Sequence, residues 1–214
     1  MPLIYLVLLS VLFFIILQLG VFGIVLAKLG LSPDSAGLLL GSTLIGSLIN
    51  LPLFTITATT EITLPKFPLP RVFFTSTPVP RDKTIIAINV GGALVPICFS
   101  VYLIYLHSLN FFQIVAAIAF VSMICFYFSR PIKGLGIGMP VFIAPFTAAV
   151  VALTIAPSNS APLAYICGTL GVLIGADLFR IKDIKHMGVP IASIGGAGTF
   201  DGIFFTGIIA VLLA

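Results

Sequence analysis

Apolar residues in this chain come in long blocks, and the polar and charged residues are confined to the short connections between them. Seven blocks are long enough to cross about 30 Å of hydrocarbon at about 1.5 Å per helical residue. They lie at about 3–27, 35–58, 84–106, 110–129, 139–156, 161–180 and 191–213. The pattern predicts an all-α fold, a polytopic transmembrane helical bundle of about seven spans, forming a single integral membrane domain over 1–214. Local signals agree with it. Ser32-Pro33-Asp34 suits the start of the second span, with proline tolerated in the first turn. Asn110 suits the start of the fourth, and Pro140 sits near the start of the fifth. The block at 3–27 has no basic start and a longer apolar run than a signal peptide, so it is read as a retained span.

Composition sharpens the class. Hydrophobic residues make up 60% of the 214 and charged residues only 7%, against about 25% charged in soluble domains. The basic residues are also sorted. Lys66, Arg71, Arg81, Lys83, Arg130, Lys133, Arg180, Lys182 and Lys185 fall in alternate connections, and only Lys28 falls in the others. Cytoplasmic loops carry such an excess, so a multi-pass cell-membrane protein is expected, with the N-terminus cytoplasmic and the C-terminus outside. The net charge of +4 then serves anionic lipid headgroups, and nucleic acid is not a predicted partner.

One connection is long. Residues 59–83 contain Pro65, Pro68, Pro70, Pro78 and Pro80, with Ile62, Leu64, Phe67, Leu69, Val72 and Phe74 between them. Prolines at this density forbid a helix and disfavour a central strand. An extended cytoplasmic ribbon or edge hairpin is expected, either a plain interfacial loop or an edge that pairs with a substrate strand. Gly37 with Gly41, Gly171 with Gly175, and the Gly91-Gly92 doublet have the spacing of close helix contacts. Asn50 and Asn89 are polar positions within apolar runs, suited to interhelical hydrogen bonding or to ligand binding. Gly134, Gly136 and Gly138 beside Lys133 match no phosphate loop and predict a flexible connection. Cys98, Cys125 and Cys167 have no metal-type spacing and read as small hydrophobes. His107 and His186 lie in loops on opposite sides, so no metal site and no cofactor is expected.

Two aspartates carry the candidate chemistry. Asp177 closes the sixth span, about one turn inside the boundary, and Asp201 lies within the seventh. A charge at mid-bilayer costs roughly 2.5–3.5 kcal/mol on insertion scales. Gly195, Gly196 and Gly198 weaken the helix around Asp201 by about 1 kcal/mol each, so the last span is expected to be interrupted by a glycine-rich stretch before a half-helix from about Thr199. Plain alternatives exist for both. Asp177 and Arg180 have i, i+3 spacing for an ion pair, and Asp201 or Thr199 suits a helix cap. If the carboxylates meet in a hydrated pocket, repulsion lets the pair share one proton at neutral pH. An aspartyl hydrolase needs that state, in which one carboxylate activates water and its protonated partner polarises the scissile carbonyl. Glycines beside it would admit an extended substrate backbone.

Asn89-Val90-Gly91-Gly92-Ala93-Leu94-Val95-Pro96, Gly175-Ala176-Asp177-Leu178 and Ser193-Ile194-Gly195-Gly196-Ala197-Gly198-Thr199-Phe200-Asp201-Gly202-Ile203-Phe204 together resemble a family of uncharacterised prokaryotic polytopic membrane proteins. That resemblance covers most of the chain and implies membrane location and the same spans, with no activity attached. A weaker resemblance is to intramembrane aspartyl proteases of the presenilin and prepilin-peptidase type, which carry aspartates on two helices, one in a Gly-x-Gly-Asp motif. It implies Asp177 and Asp201 as a catalytic pair acting on a transmembrane peptide substrate. Two other readings stay open. One is an ion- or proton-coupled transporter of a small ion or solute, with Asp201, Thr199 and either Asn50 or Asn89 as ligands at a glycine-broken span. The other is a non-catalytic membrane scaffold.

Overall fold

The computed structural model describes residues 20–21, 23–59, 82–134, 136–196 and 202–214. Helical residues of the first block run to Lys28. Ser32 then starts α1 (Pro33–Ser47), its hydroxyl accepting from the Ser35 N–H at 3.3 Å. Two residues beyond α1 the chain becomes extended, with β1 (Asn50–Thr57) followed by β2 (Lys83–Asn89). A short π-helical stretch, Val90–Leu94, runs into α2 (Val95–Leu106). Asn110 caps α3 (Phe111–Phe128), accepting from the Phe112 N–H at 2.9 Å. A small hairpin of β3 (Arg130–Ile132) and β4 (Gly136–Gly138) leads to α4 (Ile143–Ile155). A single 3-10 turn at Pro157–Asn159 opens α5 (Ser160–Val172), which continues as a π-helical stretch over Leu173–Leu178. A 3-10 segment (Ile181–His186) precedes β5 (Ile191–Ile194), and α6 (Gly202–Leu213) ends the chain.

These elements overturn the all-helical, seven-span expectation. β1, β2 and β5 form a three-stranded sheet in the order β1-β2-β5, and β3 and β4 form a second. Among the described residues only two helices, Phe111–Phe128 and Pro157–Leu178, are long and apolar enough to cross a membrane. The block at 35–58 divides into α1 and β1, that at 84–106 into β2 and a helix, and that at 191–213 into β5 and a helix of 12 residues. A hydropathy average does not separate an apolar strand from a helix. Side-chain shape does: Thr84, Ile85, Ile86 and Ile88 are β-branched, as are Thr55, Ile56 and Thr57, and such residues fit a pleated surface better than a helical one. Pro52 fits because β1 is an edge strand, and the register shifts beside it, between Pro52 and Phe54. The proline-rich stretch at 60–81 lies outside the described residues. The strands on either side of it pair, β1 antiparallel to β2 with Thr57 opposite Lys83.

α5 is the axis of the bundle. Leu163, Ala164, Tyr165, Ile166 and Cys167 are fully buried, packed among α2, α3, α4 and α6. Glycines let α3 approach it closely, since a Cβ on Gly171 would sit 2.6 Å from Val121 and one on Gly175 2.9 Å from Cys125. Among the described residues, an added Cβ on Gly37 or Gly41 meets nothing. Carbonyls freed at helix ends find side-chain donors on neighbouring elements. Gln113 donates to Ile155 O, Lys28 to Val211 O, and Arg180 to Phe126 O and Ser129 O. The outer surface of α3 is apolar, with Phe111, Phe112, Val115, Phe120, Met123 and Tyr127 exposed.

Candidate functional site

β2 and β5 are parallel, Ile85 lying opposite Ile191 and Ile88 opposite Ile194, so their carboxyl ends lie side by side. That end of a parallel pair is where open sheets commonly build their sites. Each strand leaves through the same sequence pattern, a polar residue followed two positions later by Gly-Gly-Ala: Asn89 before Gly91-Gly92-Ala93, and Ser193 before Gly195-Gly196-Ala197.

The polar residues tie the strand ends together. Asn89 Oδ1 accepts from the Gly92 N–H at 2.7 Å and so caps the helix that follows. Its Nδ2 donates to Ser47 O at 2.7 Å and to Asn50 Oδ1 at 3.1 Å. Ser193 Oγ donates to the same Asn50 oxygen. One amide oxygen at the start of β1 thus binds the ends of both other strands. Asn50 and Asn89 are buried and join strand ends, where helix-to-helix clamps were expected.

The glycines then bring three backbones into contact. A Cβ on Gly91 would overlap Thr43 O of α1, and one on Gly92 would overlap the carbonyl oxygen of Gly195. Gly195 and Gly196 have φ of +82° and +93°, the left-handed region in which glycine alone is unstrained. This turn aims the Gly195 N–H at Asp177, whose Oδ2 accepts it at 2.8 Å. Asp177 stands on the π-helical stretch Leu173–Leu178, a winding frequent at functional positions because it re-aims side chains. The i, i+3 ion pair with Arg180 does not form. Arg180 pairs with Asp183 at 3.0 Å, stacks over the Phe126 ring and donates to Ser129 Oγ.

Beside Asp177 lies a cavity of about 160 Å³, with Met139, Val172, Ile203 and Thr206 among its walls. Gly202 lines it too, so the residue that follows Asp201 in sequence faces the same space as Asp177. Asp201, Gly198 and Thr199 themselves lie outside the described residues. Of the remaining predicted positions, Asp177, Gly195, Asn50 and Asn89 belong to one connected region, and Gly196 completes its turn. Ser193, Thr206 and Met139 were not foreseen. Ser193 could have been found from the repeated polar-x-Gly-Gly-Ala pattern. Thr206 and Met139 carry no such signal, because their place on the cavity wall depends on how α6 and β4 pack. The histidines are apart, His107 Nε2 near Leu29 O and His186 Nδ1 near Thr59 Oγ1, and among the described residues no group of three His, Cys, Asp or Glu could hold a metal.

The fold and this region define an apolar helical protein with a small mixed sheet, whose strand ends and glycine turn hold one carboxylate at a cavity. The chain belongs to the family described as Protein of unknown function (DUF1614), which matches residues 44–213. No curated protein and no solved structure matches the chain.

Proposed function

We propose that this protein is a multi-pass membrane protein acting as an intramembrane aspartyl protease, with Asp177 and Asp201 as its catalytic pair. One observation carries the reading. Asp177 and Gly202, the neighbour of Asp201, line one cavity, and the glycine segment leading to Asp201 starts with its Gly195 N–H bound to the Asp177 carboxylate. A carboxylate accepting a backbone N–H is fixed in orientation, as a group that activates or positions water must be. The transporter reading is less supported, since Asn50 and Asn89 bind each other and the strand ends.

Membrane placement is supported by the exposed aromatic surface of α3 and by charge sorting. Gly134, beside Lys133, donates to Met187 O, and Thr59 donates to Lys185 O. Arg180 caps the end of α3, so these basic residues gather at one end of the bundle. Lys28 sits at the other, on the end of α6. The positive-inside rule makes the first end cytoplasmic, with the N-terminus inside and the C-terminus outside.

The test uses a photoreactive peptide isostere whose central hydroxyl mimics the hydrated scissile carbonyl, applied to purified protein in detergent. A transition-state mimic binds far tighter than a substrate. Wild type should be labelled, and Asp177→Asn and Asp201→Asn should each lose labelling while still unfolding cooperatively. Equal labelling of all three proteins would remove the protease reading.

A further inference from the structure

We infer that the cavity beside Asp177 is a side-chain pocket for one branched or aromatic apolar residue of an extended peptide substrate, with Met139 and Val141 setting its size. The inference rests on the protease reading and names the substrate class for it. The cavity holds about 160 Å³, close to the roughly 150 Å³ at which an apolar cavity accommodates a benzene ring. Ile137, Met139, Val172 and Ile203 supply an apolar side from β4, the segment after it, α5 and α6, and Asp177 and Thr206 make the other side polar, where water and the scissile carbonyl would lie. An acidic side chain entering there would lose its hydration and face the Asp177 carboxylate, so the pocket rejects it.

The outer wall is the part open to variation. β4 belongs to a hairpin of three-residue strands, and the adjoining turn is anchored by the Gly134 N–H on Met187 O at 2.9 Å. Met139 follows β4 directly and is half-buried, and its flexible thioether adapts to what it touches. Val141 lines the same cavity yet is 63% exposed, so it stands at the mouth, where a larger residue narrows the opening without disturbing the core.

The experiment compares four photoreactive hydroxyl isosteres that differ only in the side chain next to the hydroxyl: methyl, isobutyl, benzyl and naphthylmethyl. One methylene in an apolar pocket changes selectivity by about 10-fold or more. Wild type should therefore take isobutyl and benzyl at least about tenfold better than methyl or naphthylmethyl. Val141→Trp should lose benzyl labelling and keep methyl labelling. Met139→Ala, a second variant on the same wall, should gain naphthylmethyl labelling. An unchanged order in both variants overturns the pocket and leaves the protease reading standing. Failure of every isostere to label wild type removes the protease reading and the pocket with it.

Discussion

Replacing Gly92 by alanine tests the contact on which the site's geometry depends. The added Cβ would overlap the carbonyl oxygen of Gly195 and lie 3.3 Å from Asn89 Oδ1. Gly92 also donates its N–H to Asn89, so its own backbone is held in place. The Gly195 turn must then retreat by more than an ångström, taking its N–H away from Asp177. Overpacking of this kind costs about 1–3 kcal/mol, and losing a hydrogen bond to a charged group costs about 1.5–3 kcal/mol. Because the turn yields more readily than a core helix, the expected loss is about 3 kcal/mol, near the low end of that sum. For a chain of this size that lowers the unfolding midpoint by about 6–12 °C. Cys125 and Cys167 are buried, so a thiol-reactive dye reports unfolding in detergent, with the exposed Cys98 changed to alanine to remove background. Gly37→Ala is the control. Its Cβ meets nothing among the described residues, and it should raise stability by up to about 1 kcal/mol through helix propensity. Gly92→Ala unfolding within 2 °C of wild type (about 1 kcal/mol or less) and binding the isostere normally would refute the close-contact argument.

Two further outcomes follow from side chains away from the cavity. Arg180→Met removes the donors to Phe126 O, Ser129 O and Ser129 Oγ, and should cost about 2–4 kcal/mol in the same unfolding assay. The half-exposed partner Asp183 adds little to that, so Asp183→Asn should be nearly silent, and equal losses in the two variants would contradict the capping role. Ser122 Oγ is buried with no hydrogen-bond partner among the described residues. Ser122→Ala should therefore stabilise by about 1 kcal/mol, since it removes an unsatisfied polar atom and improves helix propensity. A destabilised Ser122→Ala protein would mean the hydroxyl is satisfied.

Capping residues act locally, and the helix starts that depend on them were legible in the sequence. The helix Phe111–Phe128 starts at the Asn110 cap because nothing distant is needed to start it. Asp177 stood out because an ionisable group at the end of an apolar block is costly wherever the block packs. The division of three blocks into strand and helix was not legible. β1, β2 and β5 are strands because each finds backbone partners in another segment, β5 more than a hundred residues beyond β2, and an average over one window contains nothing about such a partner. The same holds for the site. Gly92 and Gly195 each looked like a helix-packing or helix-breaking residue, and only the sheet register placed one against the other and turned the Gly195 N–H toward Asp177. Sequence alone determined which residues are expensive to place in an apolar setting, because burial cost belongs to the residue. Tertiary structure alone decided which of them meet, because hydrogen bonds and cavity walls belong to pairs far apart along the chain.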